Sequence, residues 1–225
     1  MFDNINIVLV NTSHPGNIGS SARAMGVMGF NKLSLVQPKE FPSEIATAMA
    51  VGCDEILKNA IVYQDLSGAL SESAFNIGFS ARPRKESIPT LSVDECIKKV
   101  STDSAVTFNI IFGNEKNGLS NEELLMCDYI VTLPTASFYS SLNLSAAVQI
   151  FTYELLKKSL DNSISNSISQ TSISPAKTKD KEAFYKKLIA LLKNTEFITE
   201  KNSKSLTKKI HIMFNKAMLE EHEIS

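Results

Sequence analysis

The sequence contains no tryptophan and only three cysteines, Cys53, Cys96 and Cys127, among its 225 residues. These cysteines are far apart and form no C-x-x-C pair, which argues against a zinc site and against a disulfide framework. No membrane span is predicted, since the uncharged stretch 129–153 is broken by Pro134 and by many polar side chains. The expected setting is therefore a reducing cytoplasm.

Neither sign of charge is in excess. The chain has 23 basic and 24 acidic residues and a net charge of −1, so any nucleic-acid site must be local. Arginine is scarce, and its only positions are Arg23, Arg82 and Arg84. All three lie in or just after loops that follow predicted strands. Because a guanidinium pairs with phosphate as lysine cannot, this placement favours an anionic partner, although chance placement is an alternative.

Several catalytic motifs are missing. The sequence has no G-x-x-x-x-G-K-[ST] phosphate loop, no G-x-S-x-G nucleophile elbow and no H-E-x-x-H metal helix. The absence of G-x-G-x-x-G argues against a nucleotide-dependent reductase. His14 could act as a base, but no acid lies near it in sequence, so a structural role in a turn is the favoured interpretation.

What the sequence does contain is a regular alternation of apolar runs and helical patterns. Strands are predicted at 5–10, 33–36, 61–63, 75–79, 108–112 and 129–133. Helices are predicted at 20–29, 43–50, 65–71, 92–100 and 144–157, with a capping box at Ser120–Glu123. This alternation predicts an α/β fold with a mostly parallel sheet.

Polar loops follow three of these strands, and the first of them is the loop 80–85 after the strand at 75–79. Gly113 and the loop 114–119 follow the strand at 108–112, and residues 140–143 lead into the helix at 144–157. Ligands bind at the carboxyl ends of strands in such sheets, and glycines permit close backbone approach or positive φ. Taken alone, these stretches are equally consistent with ordinary connections.

The last third of the chain has a different character. Residues 1–158 form the predicted α/β domain, 159–178 form a Ser- and Asn-rich flexible linker, and 179–225 form a helical extension. The lysines of this extension are interpreted as a solvated face, balanced by glutamates, rather than as an RNA contact. They are Lys181, Lys186, Lys187, Lys204, Lys208 and Lys209.

Three segments carry a resemblance to a known family. Residues 11–25, 112–119 and 140–147 resemble, in order and spacing, the three motifs of the SPOUT RNA methyltransferases. The loop 80–84 and the helical tail are most similar to the members that methylate the ribose 2′-oxygen of tRNA nucleotide 32, C or U, in the anticodon loop. The resemblance of the core covers residues 1–157, and the resemblance of the tail is looser.

The resemblance implies a trefoil-knotted domain that binds S-adenosylmethionine (AdoMet), needs no metal, acts on tRNA and forms a homodimer. Arg23 and Ser141 would act on the ribose. The implied AdoMet site consists of Phe79, Ser80, Ala81, Gly113, Leu133, Ser140, Ser141 and Leu142. The implied substrate side consists of Asn17, Arg82, Arg84, Glu115 and Asn143.

Three alternatives stay open at this point. A related enzyme with the same motifs could methylate ribosomal RNA or another position of tRNA. A knotted RNA-binding protein without catalytic activity is a second alternative, against which the presence of Arg23, Ser141 and Asn143 argues. The third, a nucleotide-dependent reductase, lacks its motif.

The predicted helix at 144–156 is apolar almost all round. A partner subunit is therefore expected to cover the side that the sheet leaves open.

Overall fold

The computed structural model describes residues 2–81, 88–102, 104–138, 141–162, 176–217, 219–220 and 223–224. The strands of these residues are β1 (Ile5–Val10), β2 (Lys32–Val36), β3 (Ile61–Tyr63), β4 (Phe75–Phe79), β5 (Thr90–Leu91), β6 (Phe108–Phe112) and β7 (Tyr129–Val131). The helices are α1 (Pro15–Val27), α2 (Glu44–Ala50), α3 (Asp54–Lys58), α4 (Leu66–Leu70), α5 (Val93–Thr102), α6 (Asn121–Leu125), α7 (Leu144–Asn162), α8 (Thr178–Asn194) and α9 (Ser203–Ala217).

These strands form one sheet in the order β3-β2-β1-β6-β4-β7-β5. Every neighbouring pair is parallel, so all carboxyl ends meet at one edge, the carboxyl edge, and all amino ends meet at the opposite amino edge. The predicted α/β class is confirmed. The chain builds outward from β1 to β3 on one side, crosses with β4 to the other side and later places β6 directly beside β1, which creates the kind of crevice where ligands bind.

Both faces of the sheet are buried. Along β1, Ile7 and Leu9 join one apolar cluster, whereas Val8 and Val10 join the other. This explains why the central strands are continuous apolar runs rather than alternating ones. No helix within the described ranges is long and apolar enough to span a membrane.

Helix α1 begins earlier than the sequence pattern predicted. It starts at Pro15 rather than Ser20, because Pro15 needs no N–H partner in the first turn and His14 caps the helix by accepting a hydrogen bond from the Gly16 amide at Nδ1, 3.0 Å away. The structural role of His14 is thus confirmed. Two short elements, α3 and β5, were not predicted, and α7 extends to Asn162, four residues into the predicted linker.

A row of asparagines, buried at Asn76 and Asn109 and half-buried at Asn6, crosses the sheet near the amino edge. Asn6 and Asn76 each lie beside Asn109 in the strand register. Asn6 donates to Asn109 (2.8 Å), Asn109 donates to Asn76 (2.9 Å), and Asn76 donates to the Thr178 hydroxyl (2.8 Å). The row therefore ends on the first residue of α8 and connects the C-terminal helices to the sheet.

Lys181 on α8 was predicted to lie on a solvated face, and this was wrong. The residue is 8% exposed, and its ammonium donates to the Ala74 carbonyl (2.9 Å) and to Asp128 (3.0 Å). The other Asp128 oxygen accepts from the Asn76 amide (2.8 Å). Helical periodicity alone could not reveal this pair, because Asp128 is 53 residues away in sequence. Helix α8 thus closes the amino edge with a buried ion pair.

Candidate functional site

A cleft of about 260 Å³ opens at the carboxyl edge. Its walls come from the end of β4, from the loop after β6, from the segment after β7 and from the start of α7. The predicted cofactor residues that line it are Phe79, Ser80, Ala81, Gly113, Leu133, Ser141 and Leu142. Ser140, Arg82 and Arg84 lie outside the described residues. The structure thus brings the described cofactor residues together around one opening.

The loop after β6 is compact because the chain returns on itself. A Cβ on Gly113 would lie 2.2 Å from the backbone of Gly118 and Leu119, so only glycine fits. Gly118 has φ +65° and donates its amide to the Asn114 carbonyl at 2.7 Å. Gly113 is therefore required by contact with the protein's own backbone, whereas the sequence had indicated close approach of a ligand or positive φ.

Glu115 connects this loop to the start of α1. Its carboxylate accepts hydrogen bonds from the Ser13 amide (2.9 Å), the Ser13 hydroxyl (2.8 Å) and the Asn17 side chain (2.7 Å). Burial alone would raise the pKa of this carboxyl group, but the hydrogen bonds from Ser13 and Asn17 outweigh it and the pKa is lowered. Glu115 is therefore ionised at neutral pH.

Asn17 extends the connection to the start of α7. Its carbonyl oxygen accepts from Asn143 Nδ2 (3.0 Å), and Asn143 Oδ1 accepts from the amide (2.9 Å) and the hydroxyl (2.7 Å) of Ser145. The Glu115 carboxylate can only accept, so each amide along this chain has one orientation. Glu115, Asn17 and Asn143, all predicted on the substrate side, thus form one directed hydrogen-bond chain that joins the three motifs.

Two residues of this region were not among the predicted site residues. Ser13 provides two of the bonds to Glu115, and Asn114 donates to the Asn11 carbonyl at 2.6 Å. Each bond spans about a hundred positions. The one signal that could have identified Ser13 and Asn114 is their place inside the matched segments. Both hold the β1–α1 loop against the loop after β6.

Arg23 lies apart from this cleft. It is exposed on α1, six residues beyond Asn17, which is roughly 9 Å along the helix axis. It does not line the cleft of its own chain and takes part in no ion pair with another described residue. A buried ion pair, the main structural explanation for an isolated arginine on this helix, is therefore ruled out within the described residues.

The cleft combines apolar walls with hydrogen-bonding groups. Phe79, Leu133 and Leu142 offer apolar surface, whereas Ser80, Ser141 and the backbone of the 113–118 loop offer polar groups. Such a lining suits a ligand with an aromatic part and a polar part. Among the side chains that the structure describes, no group of three or more His, Cys, Asp or Glu residues could hold a metal ion.

A parallel sheet with three loops joined around one carboxyl-edge cleft is the arrangement implied by the resemblance to SPOUT methyltransferases. The family model described as "SpoU rRNA Methylase family" matches residues 4–153. The chain belongs to this family and is an RNA methyltransferase.

Similar proteins agree over the whole chain. A tRNA (cytidine/uridine-2'-O-)-methyltransferase, TrmJ, of Sodalis glossinidius is 39% identical over 100% of this chain and 89% of its own length. The TrmJ of Pectobacterium atrosepticum is 38% identical over 100% of this chain and 94% of its own length. The crystal structure of TrmJ from Z. mobilis ZM4 is 27% identical, covers 97% of this chain and 93% of that chain, and has a TM-score of 0.85. The similarity therefore includes the C-terminal helices.

Proposed function

We propose that this chain transfers a methyl group from AdoMet to a ribose 2′-oxygen of tRNA, at nucleotide 32. The observation that carries the proposal is the directed chain Glu115–Asn17–Asn143, which joins all three motifs around one cleft. The two TrmJ relatives support tRNA as the substrate, since they are 39% and 38% identical over the full chain. The choice of nucleotide 32, with C or U as the base, rests on the resemblance of the motifs.

The cleft fits AdoMet by its chemistry. Phe79, Leu133 and Leu142 provide apolar surface for an adenine ring, and Ser80 and Ser141 provide hydroxyls for the polar groups. When bound, AdoMet supplies a methyl group on a positively charged sulfur leaving group. The protein then has to align two ligands and assist the loss of one proton, for which no metal is needed.

Arg23 and Ser141 are assigned to the ribose. The attacking 2′-oxygen would form a bond to the methyl carbon as the carbon–sulfur bond breaks, S-adenosylhomocysteine would leave, and the 2′-hydroxyl proton would pass to solvent water. A guanidinium beside the flanking phosphate orients the nucleotide and lowers the pKa of the 2′-hydroxyl. Arg23 is exposed outside the cleft, where a phosphate that flanks the ribose can reach it, and Ser141 lies at the cleft. A guanidinium is an unsuitable base, because it stays protonated in proteins.

A homodimer is part of the proposal. Three helices that pack side by side expose large apolar residues, namely Val27 on α1, Ile45 and Met49 on α2, and Ile150 and Tyr153 on α7. We call this set the apolar helix face. A second copy of the chain would cover it through a symmetric interface. Light scattering at micromolar concentration is expected to show a dimer, and the Ile150→Glu/Tyr153→Glu variant is expected to be monomeric. A monomeric wild type would contradict this part.

The test of the function is to map 2′-O-methyl groups on tRNA incubated with the full chain and AdoMet. A new methyl group at nucleotide 32 is the expected result, and no new methyl group in any tRNA would contradict the proposal. Ribosomal RNA is the parallel substrate, because the matching family model carries that name. Methylation of ribosomal RNA alone would replace tRNA as the substrate and leave the reaction type standing.

A further inference from the structure

Phe138 is the most exposed of the large apolar side chains in the described parts of the chain. Its exposed fraction is 90%, and the next most exposed, Val27, reaches 64%. A single exposed apolar residue is common on protein surfaces and does not by itself indicate a site. The position of Phe138 next to cleft-lining residues is what makes its exposure relevant to ligand binding.

Phe138 lies in the segment that connects β7 to α7, and this segment borders the cleft. Leu133 and Thr135, before Phe138, line the cleft, and so do Ser141 and Leu142 after it. Phe138 and the described residues 134–137 before it are all exposed. An exposed aromatic ring thus lies in a segment that has cleft-lining residues on either side of it.

We propose that Phe138 stacks on a base of the RNA substrate and thereby holds the ribose to be methylated over the cleft. This inference rests on the proposed function. Single-stranded RNA loops are recognised largely by stacking of bases on aromatic side chains. With a net charge of −1, the chain has no overall basic field to capture RNA, which increases the weight of contacts that are not electrostatic. Exposed Lys116, which also lines the cleft, provides a cation for a neighbouring phosphate.

The experiment compares full-length wild type with Phe138→Ala, Phe138→Leu and Phe138→Tyr. The matched control is Phe197→Ala, which removes another exposed phenylalanine, 59% exposed, between α8 and α9. For each protein, three quantities are measured. The tRNA affinity is measured by fluorescence anisotropy, and the AdoMet affinity is measured by calorimetry. The methylation rate is measured under single-turnover conditions at saturating AdoMet. Loss of one stacked base should weaken tRNA binding roughly 5- to 150-fold in the Ala and Leu variants, with Tyr close to wild type.

A set of tRNAs with a single abasic site at each anticodon-loop position identifies the stacked base. For wild type, one of these abasic tRNAs should have a lower affinity than intact tRNA. For Phe138→Ala, the same abasic tRNA and intact tRNA should have equal affinities. AdoMet affinity and the dimeric state should be the same in all variants.

Four results would overturn the inference: equal tRNA affinity for wild type and Phe138→Ala, a Leu variant that matches Tyr, a change confined to AdoMet affinity, or loss of the dimer. The third would place Phe138 over the cofactor and the fourth in an interface between copies. Failure of the proposed function gives a different result, in which wild type binds tRNA but does not methylate it. In that case the tRNA affinities of wild type and Phe138→Ala still decide whether Phe138 stacks on a base. Absence of both tRNA binding and methylation would overturn both proposals.

Discussion

The two edges of the sheet place hydrogen-bonded polar groups in different situations. At the amino edge, α8 covers Asn76 and Asp128, and each is held by bonds to Thr178 or Lys181. At the carboxyl edge the hydrogen-bond chain Glu115–Asn17–Asn143 lies beside a cleft that is open among the described residues. The polar groups under α8 hold a helix on the sheet, whereas those of the chain hold together the walls of an opening that can admit a ligand.

The comparison also separates two uses of charge. Lys181 is almost fully buried beside Asp128, where losing either partner would leave an uncompensated charge. Arg23 is exposed and has no ion pair with any residue in the described ranges, so it costs little to keep and is available to RNA. Substitutions at the two edges should therefore change different measured quantities.

The largest expected effect is at Arg23 on α1, outside the cleft of its own chain. Arg23→Ala should lower the single-turnover methylation rate by about 10²–10³-fold, the usual range for removing one group that stabilises developing charge in the transition state. Arg23→Lys should recover little, because an ammonium lacks the planar fork. The free energy of unfolding and the AdoMet affinity should stay at wild-type values. A folded Arg23→Ala protein that binds tRNA and methylates at the wild-type rate would refute the assignment.

The next effect is at the amino edge. Lys181→Ala should lower the free energy of unfolding by about 3–5 kcal/mol, because it leaves Asp128 charged and buried without its partner. Lys186→Ala, at an exposed position of the same helix, is the control, and its change in the free energy of unfolding should be near zero. Urea unfolding measures both, and the methylation rate of the folded Lys181→Ala protein should be unchanged. Equal stability of the two variants would remove the ion pair from the account.

A smaller effect concerns the pH dependence of Glu115. Its pKa is lowered from 4.5 in the folded chain, so its ionised form stabilises the fold above that pH. The advantage of wild type over Glu115→Gln should therefore be full near pH 6 and be lost as the pH falls through the lowered folded pKa. Unfolding of both proteins across this range checks the sign, and an advantage that grows on acidification would contradict it.

The smallest effect is on thiol reactivity. Burial raises the pKa of Cys96 to about 12 and also raises that of Cys127, so neither should react with a thiol reagent at neutral pH, whereas half-buried Cys53 should react slowly. Lys181→Ala should make Cys127 react faster only through more frequent opening of the amino edge, because the unpaired Asp128 charge by itself raises the pKa of this thiol further. Mass spectrometry of labelled peptides measures each site. Fast labelling of Cys127 in wild type would show that the amino edge is already open.

The sequence predicted the carboxyl edge better than the amino edge. Strands such as Phe75–Phe79 and Phe108–Phe112 were predicted because buried parallel strands are continuous apolar runs bounded by turn residues. The site segments were found through motif resemblance, not from local pattern. Lys181 was misplaced because a lysine among other lysines indicates a solvated face, and its partner Asp128 gives no local signal.

The hydrogen-bond chain at the site was equally out of reach of local patterns. The Glu115–Asn17 and Asn143–Asn17 bonds span 98 and 126 positions, so only the folded sheet brings them together. The start of α1 was missed because proline and glycine were interpreted as loop formers, although both fit the first turn of a capped helix.

The central claim is that the carboxyl-edge cleft is the cofactor site, and calorimetry with AdoMet tests it most directly. Ala147→Phe places a large ring in the cleft from α7, and Ala190→Phe makes the same change at an exposed position of α8. Wild type and Ala190→Phe should bind AdoMet alike, whereas folded Ala147→Phe should give no heat of binding. No heat with wild type, or wild-type affinity in Ala147→Phe, would contradict the claim.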